Sequence, residues 1–172
     1  MRLLFTIDTG DYDLSRPGIV RDAARSIIIN EGKIALVHSL KYDYYKFPGG
    51  GIEAEEDKLE ALKRETVEEA GLVIKPETVR EFGYVHRIQK GFSENDGYFK
   101  QDNFYYLCEV EKGTTDQALD AYEADESFTL EYVDPRVAIR ANRQKDHGPK
   151  DKNMIEREAR VLEILILEGY FN

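Results

Sequence analysis

The stretch Gly49–Leu72, "GGGIEAEEDKLEALKRETVEEAGL", joins three glycines to an acid-rich segment of helical period. On a helical wheel, residues 56 to 72 place Leu59, Leu62, Thr66 and Ala70 on one stripe, the pattern of a helix packed on a sheet. Glu65, Glu68 and Glu69 stand at i, i+3 and i+4 on a neighbouring face. Each like-charged pair there costs ~0.2–0.5 kcal/mol without a counter-ion. A bound cation removes that cost, and carboxylates are hard ligands suited to Mg²⁺ or Mn²⁺, so the face reads as a metal platform. Within the helix Glu69 meets Glu65 at i−4 and no base at i+3 or i+4. Its charge is therefore expected to add nothing to folding, and its removal to leave the metal-free protein unchanged or more stable by ~0.2–0.5 kcal/mol.

Gly49, Gly50 and Gly51 read as a turn that brings main-chain carbonyls or N–H groups to a metal or a phosphate, with Pro48 stiffening the approach. Arg64 lies one turn from Glu60 and Glu68, in position to orient Glu68. Upstream, "RSIIINEGKIALVHS" holds two β-rich runs around Asn30–Lys33, a predicted hairpin. Downstream, "VREFGYVHRI", "DNFYYLCEV" and "SFTLEYVDP" have strand composition, and "QKGFSENDGYFKQ" reads as an exposed loop between the first two. "PRVAIRAN" predicts a short helix with proline in its first turn. In residues 153–170, Ile155, Ala159, Leu162, Leu165 and Ile166 recur at helical spacing, and Val161, Ile164 and Leu167 widen the apolar face. That width implies deep packing or a partner subunit, a homodimer in the second case. Interleaved strands and helices without a linker or repeat give an α+β or α/β class and a single domain over 1–172, with 1–15 as an N-terminal extension or strand.

Composition limits the partners. Acids outnumber bases 34 to 24 in 172 residues, a formal net charge of −10, which excludes coating duplex nucleic acid or an anionic membrane. A single cysteine, Cys108, excludes an internal disulfide. "MRLLFTID" breaks its apolar run at Thr6 and Asp8, and no stretch approaches a membrane span, so the expected location is cytoplasmic.

The segment Gly50–Leu72 resembles the signature of the Nudix hydrolases (MutT-like), G-x(5)-E-x(7)-R-E-U-x-E-E-x-G-U with U a bulky aliphatic residue. It matches at Gly50, Glu56, Arg64, Glu65, Glu68, Glu69, Gly71 and Leu72, and departs at Thr66, which holds the first U position. The resemblance implies a mixed β-sheet sandwiched between helices. It also implies Mg²⁺- or Mn²⁺-dependent hydrolysis of a nucleoside diphosphate linked to another moiety, a small-molecule substrate. Carried over by position, Glu65, Glu68, Glu69 and the Gly50 carbonyl are metal-ligand candidates. Glu65 is the first candidate for general base, with Glu56 and Arg64 orienting the others. A non-catalytic Nudix domain that binds or senses a nucleotide is the alternative. An isopentenyl diphosphate isomerase relative is disfavoured, because Cys108 lies far downstream of the signature.

Outside the signature the candidates are individual. Glu126, in "EADESFTLEY", is the candidate further acid, a solvated loop acid being its other reading. Arg21, Arg25, His38 and Lys46 fall on elements expected to border the site, where a base meets phosphate. Tyr42, Tyr44, Tyr45 and Phe47 either stack a nucleobase or pack their loop onto the sheet. His86 and His147 have no partner visible in sequence, and Cys108 alternates with Phe104 and Tyr106 on a core face.

Overall fold

The computed structural model describes residues 1–171. In chain order the strands are β1 (Leu3–Asp8), β2 (Gly18–Val20), β3 (Ala23–Ile27), β4 (Ile29–Asn30), β5 (Lys33–Ser39), β6 (Tyr44–Lys46) and β7 (Gly49–Gly51). Helix α1 (Lys58–Ala70) follows, then β8 (Arg80–Gln89), β9 (Tyr98–Leu107), α2 (Ala121–Asp125), β10 (Phe128–Val133), α3 (Pro135–Gln144) and α4 (Lys152–Leu167).

Two sheets result. The larger runs β1-β8-β9-β3-β7, with β2 also on β9; β1 is parallel to β8, β9 parallel to β3, and the β8–β9 and β3–β7 pairs are antiparallel. The smaller centres on β5, which pairs antiparallel with β10, β4 and β6. The predicted hairpin is the β4–β5 pair, Ile29 opposite Ile34, and both turn residues take positive φ (Glu31 49°, Gly32 72°), as a two-residue hairpin turn requires. The run before it belongs elsewhere: β3 joins the large sheet, so the chain changes sheets at Ile28. The N-terminal segment supplies β1, and β9 starts inside the segment read as a loop.

Alternate residues of the central strands feed two apolar layers. Ile28, Ala35, Val37, Phe104, Tyr106 and Cys108 pack with Leu62 and Ala70 of α1. Ile27, Ile34, Leu36 and Tyr105 pack with Ala138 of α3 and Val161, Leu162 and Leu165 of α4. Helices thus cover both sides of a mixed β structure, and strands buried on both faces read as continuous apolar runs. Deep packing of α4 accounts for its broad apolar face, although Leu167 is exposed. No helix among the described residues is long and apolar enough to cross a membrane.

Two local expectations need correction. Leu62, Thr66 and Ala70 are buried, but Leu59 is 41% exposed. It lies in the first turn of α1, over an open groove with Val20, Ile52 and Val79, and Ala61 is buried instead. The glycine triplet is a strand rather than a turn. Gly49, Gly50 and Gly51 pair with Arg25, Ala24 and Ala23, and Gly49 takes φ 138°, where a Cβ would overlap the Ala24 carbonyl.

Candidate active site

The site forms where the chain leaves the small sheet at β6, passes Phe47 and Pro48, joins the large sheet as β7 and enters α1. Asp57 caps that helix, accepting from the N–H groups of Leu59 (2.7 Å) and Glu60 (2.9 Å), and Gly71 ends it in a left-handed conformation. These two stops fix which way each acid of the helix points.

Arg64 gathers two of them together with Glu56, which precedes the helix. Its Nε and Nη2 donate to the two oxygens of Glu56 (2.8 Å each), its Nη1 to Glu65 (2.7 Å) and Glu68 (3.1 Å), and Nη2 also to the Gly51 carbonyl (3.1 Å). The fork beside Glu56 holds its carboxyl well down, to about 2. Glu65 differs, because burial raises its carboxyl above the ordinary value against the pull of Arg64. Its Oε2 lies against Gly50, so closely that a Cβ at residue 50 would overlap it. Glycine is required here for the carboxylate to meet the main chain of β7.

Glu69 departs from the platform. It is 1% exposed and points into the protein, where Oε1 accepts from Lys46 Nζ and Oε2 from the Gly49 N–H (3.0 Å). Burial pushes it up to about 7 against the pull of Lys46. Among the described residues no group of three or more His, Cys, Asp or Glu side chains converges as a metal-binding set. The physical reason is that Arg64 and Lys46 each draw carboxylates onto themselves. Glu65, Glu68 and the adjoining main chain of β7 still present the hard oxygen donors that a divalent cation takes, and the space a Cβ would fill at Gly50 lets the first of them approach that main chain.

The acids border a recess of about 310 Å³ lined by Arg21, Gly51, Arg64, Glu65, Glu68 and Asp120. Arg21 and Gly51 are shared with a neighbouring pocket of about 520 Å³, whose walls include Arg25, Lys46, Glu69, Arg87, Glu126 and Arg157. Arg25 and Lys46 are thus brought to the site, both buried. Glu126 also lines this pocket. It is buried, not a solvated loop acid, and accepts from Ser39 Oγ (2.9 Å), Tyr44 Oη (2.8 Å) and Lys150 Nζ.

His38 is not brought there. Its ring contacts Glu131 (2.7 Å) and Asp43 (3.0 Å) and stacks on Tyr45 at 4.1 Å, because its position on β5 aims it at β10 rather than the pocket. The aromatic cluster divides: Tyr42 and Tyr44 line the pocket, while Tyr45 and Phe47 enter the core under α3 and α4. His147 bonds the carbonyls of Tyr42 (2.8 Å) and Asn142 (3.0 Å), and His86 bonds Asp102 (2.6 Å). Burial pushes the Cys108 thiol up to about 12, consistent with a core role.

Arg87, Lys150 and Arg157 also line the pocket and were not among the sequence candidates. A signal for the last was present: Arg157 and Glu158 interrupt the apolar face of the C-terminal helix, between Ile155 and Leu162. Arg87 and Lys150 carried none, since one sits in an ordinary strand run and the other in a polar loop.

Comparison with known proteins agrees with this architecture. The family model described as NUDIX domain matches residues 20–157. A NUDIX hydrolase from Nitrosomonas europaea is similar in structure, with a TM-score of 0.55 and 20% identity, covering 80% of this chain and 87% of that one. A MutT NUDIX hydrolase from Burkholderia pseudomallei gives a TM-score of 0.53 at 16% identity, covering 84% and 98%. At these identities the likeness concerns the fold. No curated protein matches the chain in sequence.

Proposed function

Because the chain belongs to the Nudix hydrolase family, we propose that it hydrolyses the phosphoanhydride of a nucleoside diphosphate linked to another moiety, with Mg²⁺ or Mn²⁺ as cofactor. The observation that carries this reading is the Glu65 carboxylate, desolvated and pressed against Gly50, at the edge of a recess that shares Arg21 and Gly51 with a cation-lined pocket.

Glu65, Glu68 and the Gly50 carbonyl would hold the divalent cation, which when bound neutralises phosphate charge and polarises the phosphorus–oxygen bonds. Glu69 joins them only by releasing Lys46, whose ammonium is then free to meet a phosphate oxygen. Arg64 keeps Glu56, Glu65 and Glu68 in fixed orientation. Arg21, at the border of the two recesses, meets the anhydride as it crosses, and Arg25 takes a phosphate oxygen beyond it. Glu65 accepts the proton of the attacking water as its oxygen bonds to phosphorus and the bridging P–O bond breaks, leaving a nucleotide and a phosphorylated fragment. Glu126 is the second acid of the pocket and the alternative proton acceptor.

Purified protein incubated with a panel of nucleoside diphosphate derivatives and Mg²⁺ tests this. Monophosphate release is expected, abolished by EDTA and restored by Mg²⁺ or Mn²⁺, with Ca²⁺ poorer for its looser geometry. Full turnover in EDTA overturns the mechanism.

A further inference from the structure

The pocket floor holds three buried guanidinium groups from different elements: Arg25 of β3 (7% exposed), Arg87 of β8 (3%) and Arg157 of α4 (1%). Topology brings them together. Arg87 stands opposite Gln101 in the β8–β9 ladder, and Gln101 accepts from Arg157 (3.2 Å) and from Asn103 (3.0 Å), whose own oxygen accepts from Arg25 Nε (3.1 Å).

Their partners are unequal. Arg157 is matched by Glu158, which takes its Nε and Nη2. Arg87 has Asp151 (2.6 Å), the acid that also caps α4, yet its Nε is fully buried with no hydrogen-bond partner. Arg25 forms no ion pair among the described residues; Asn103 and the carbonyls of Phe47 and Gly49 (3.3 Å each) take its Nε and Nη1. Burial and the neighbouring Arg157 push Arg87 down to about 10, as expected where like charges crowd without enough counter-charge. A buried cation without an ion pair, and a buried N–H without an acceptor, each cost stability.

We propose that Arg25, Arg87 and Arg157 form a subsite for a phosphate group of the substrate other than the anhydride that is cut. The substrate class is then a pyrophosphate compound carrying a further phosphoryl group on its far side. This rests on the reading of the acid recess as the place of cleavage. Two features favour phosphate over a carboxylate. The three guanidinium groups line one pocket from three elements, which suits an anion with three terminal oxygens rather than a planar one with two. The Arg87 guanidinium also lies 5.0 Å over the Phe99 ring, which fixes its plane while Nε and Nη1 make no hydrogen bond among the described residues.

The test is calorimetric titration of inorganic phosphate into EDTA-treated protein, so that binding is read without metal and without turnover. Saturable binding by wild type is expected, weakened at least tenfold in Arg87→Gln and unaltered in Glu65→Gln. Where Arg87→Gln does not fold, Arg87→Lys keeps the charge and loses the fork, and a fivefold or greater weakening is expected. Equal affinity in wild type and the folded Arg87 variant, or no saturable binding by wild type, overturns the subsite. If phosphate binding depends on Arg87 while no nucleoside diphosphate derivative is hydrolysed, the subsite stands and the proposed substrate falls. In the hydrolysis assay, Arg87→Gln should raise KM for substrates with a distal phosphate and leave KM unchanged for those without one.

Discussion

Glu65 and Glu69 stand one turn apart on α1, carry the same side chain and meet opposite surroundings. Glu65 faces a recess, shares Arg64 with two other acids and touches β7 only because residue 50 is glycine. Glu69 is turned inward, and both of its oxygens are taken by groups that precede the helix, Lys46 and the Gly49 N–H. Its second role is thus to tie the end of the small sheet to the start of β7. An acid can sit among like charges either because a ligand will neutralise it or because the fold already has. The two residues divide these explanations, and each variant below tests the division.

The largest effect is expected at Glu65. If it takes the proton, Glu65→Gln should lower kcat by about 10²–10⁴-fold, while the loss of one partly exposed pair to Arg64 costs no more than about 1 kcal/mol. Steady-state rates with a denaturant melt in EDTA check both. A variant that keeps its rate and loses stability would place Glu65 with Glu69 as a structural acid.

Glu69→Gln comes next, and the expectation reverses the one drawn from the helix alone. Removing one partner of a buried ion pair strands the other, at a cost of about 3 kcal/mol, the low end of the usual range because burial already disfavours this carboxylate. Adding Lys46→Met should recover most of the loss, since glutamine still accepts from Gly49. Melts of the two singles and the double in EDTA give the coupling. A metal-free Glu69→Gln as stable as wild type would restore the helix-only account.

The error about Glu69 shows where the sequence stops being readable. Helical period sees neighbours at three and four residues, so it found the Leu62–Thr66–Ala70 stripe and the Arg64 contact to Glu68. Lys46 precedes Glu69 by 23 positions and lies on β6 of the small sheet, so no local pattern joins them. The β4–β5 hairpin, β8, β9, β10, α3 and α4 were legible for the same local reason; β2, β6 and β7 were not, nor was the assignment of β3 and β5 to different sheets. In the site, the signature acids and glycines have fixed spacing and could be read. Arg87 and Arg157 are defined only by what packs beside them, and His38 shows the converse, a base well placed in sequence whose strand face turns it toward Glu131.

A smaller effect is expected at Arg64, which holds the outer acids as Lys46 holds the inner one. Arg64→Lys replaces a planar fork with a single ammonium that cannot serve Glu56, Glu65, Glu68 and the Gly51 carbonyl together. A loss of about 1–2 kcal/mol follows for a partly exposed, charge-assisted cluster, with kcat falling more than KM rises as Glu65 loses its orientation. Thermal melts and a rate profile read the two parts. Unchanged kcat would mean that the outer acids keep their positions without the arginine.

The smallest effect, and the finest test of the contrast, is at Glu56. The arginine fork holds its carboxyl at about 2 in the folded protein, below the ordinary 4.5. A depressed value means that the folded state favours the ionised form, so the stabilisation is complete above about pH 4.5 and fades as pH falls toward 2. Glu69 has the opposite sign, since a value raised to about 7 makes its contribution shrink as pH climbs from 4.5 through 7. Outer and inner acids should therefore leave marks on opposite sides of the stability profile. Glu56→Gln should flatten the acid limb alone, by less than about 1 kcal/mol for a partly exposed pair, while Glu69→Gln flattens the limb between 4.5 and 7. Denaturant melts of wild type and both variants from pH 3 to 8, in EDTA, resolve the two limbs. If Glu56→Gln alters the neutral limb instead, the acids around Arg64 are coupled to the buried pair, and the separation of the two environments fails.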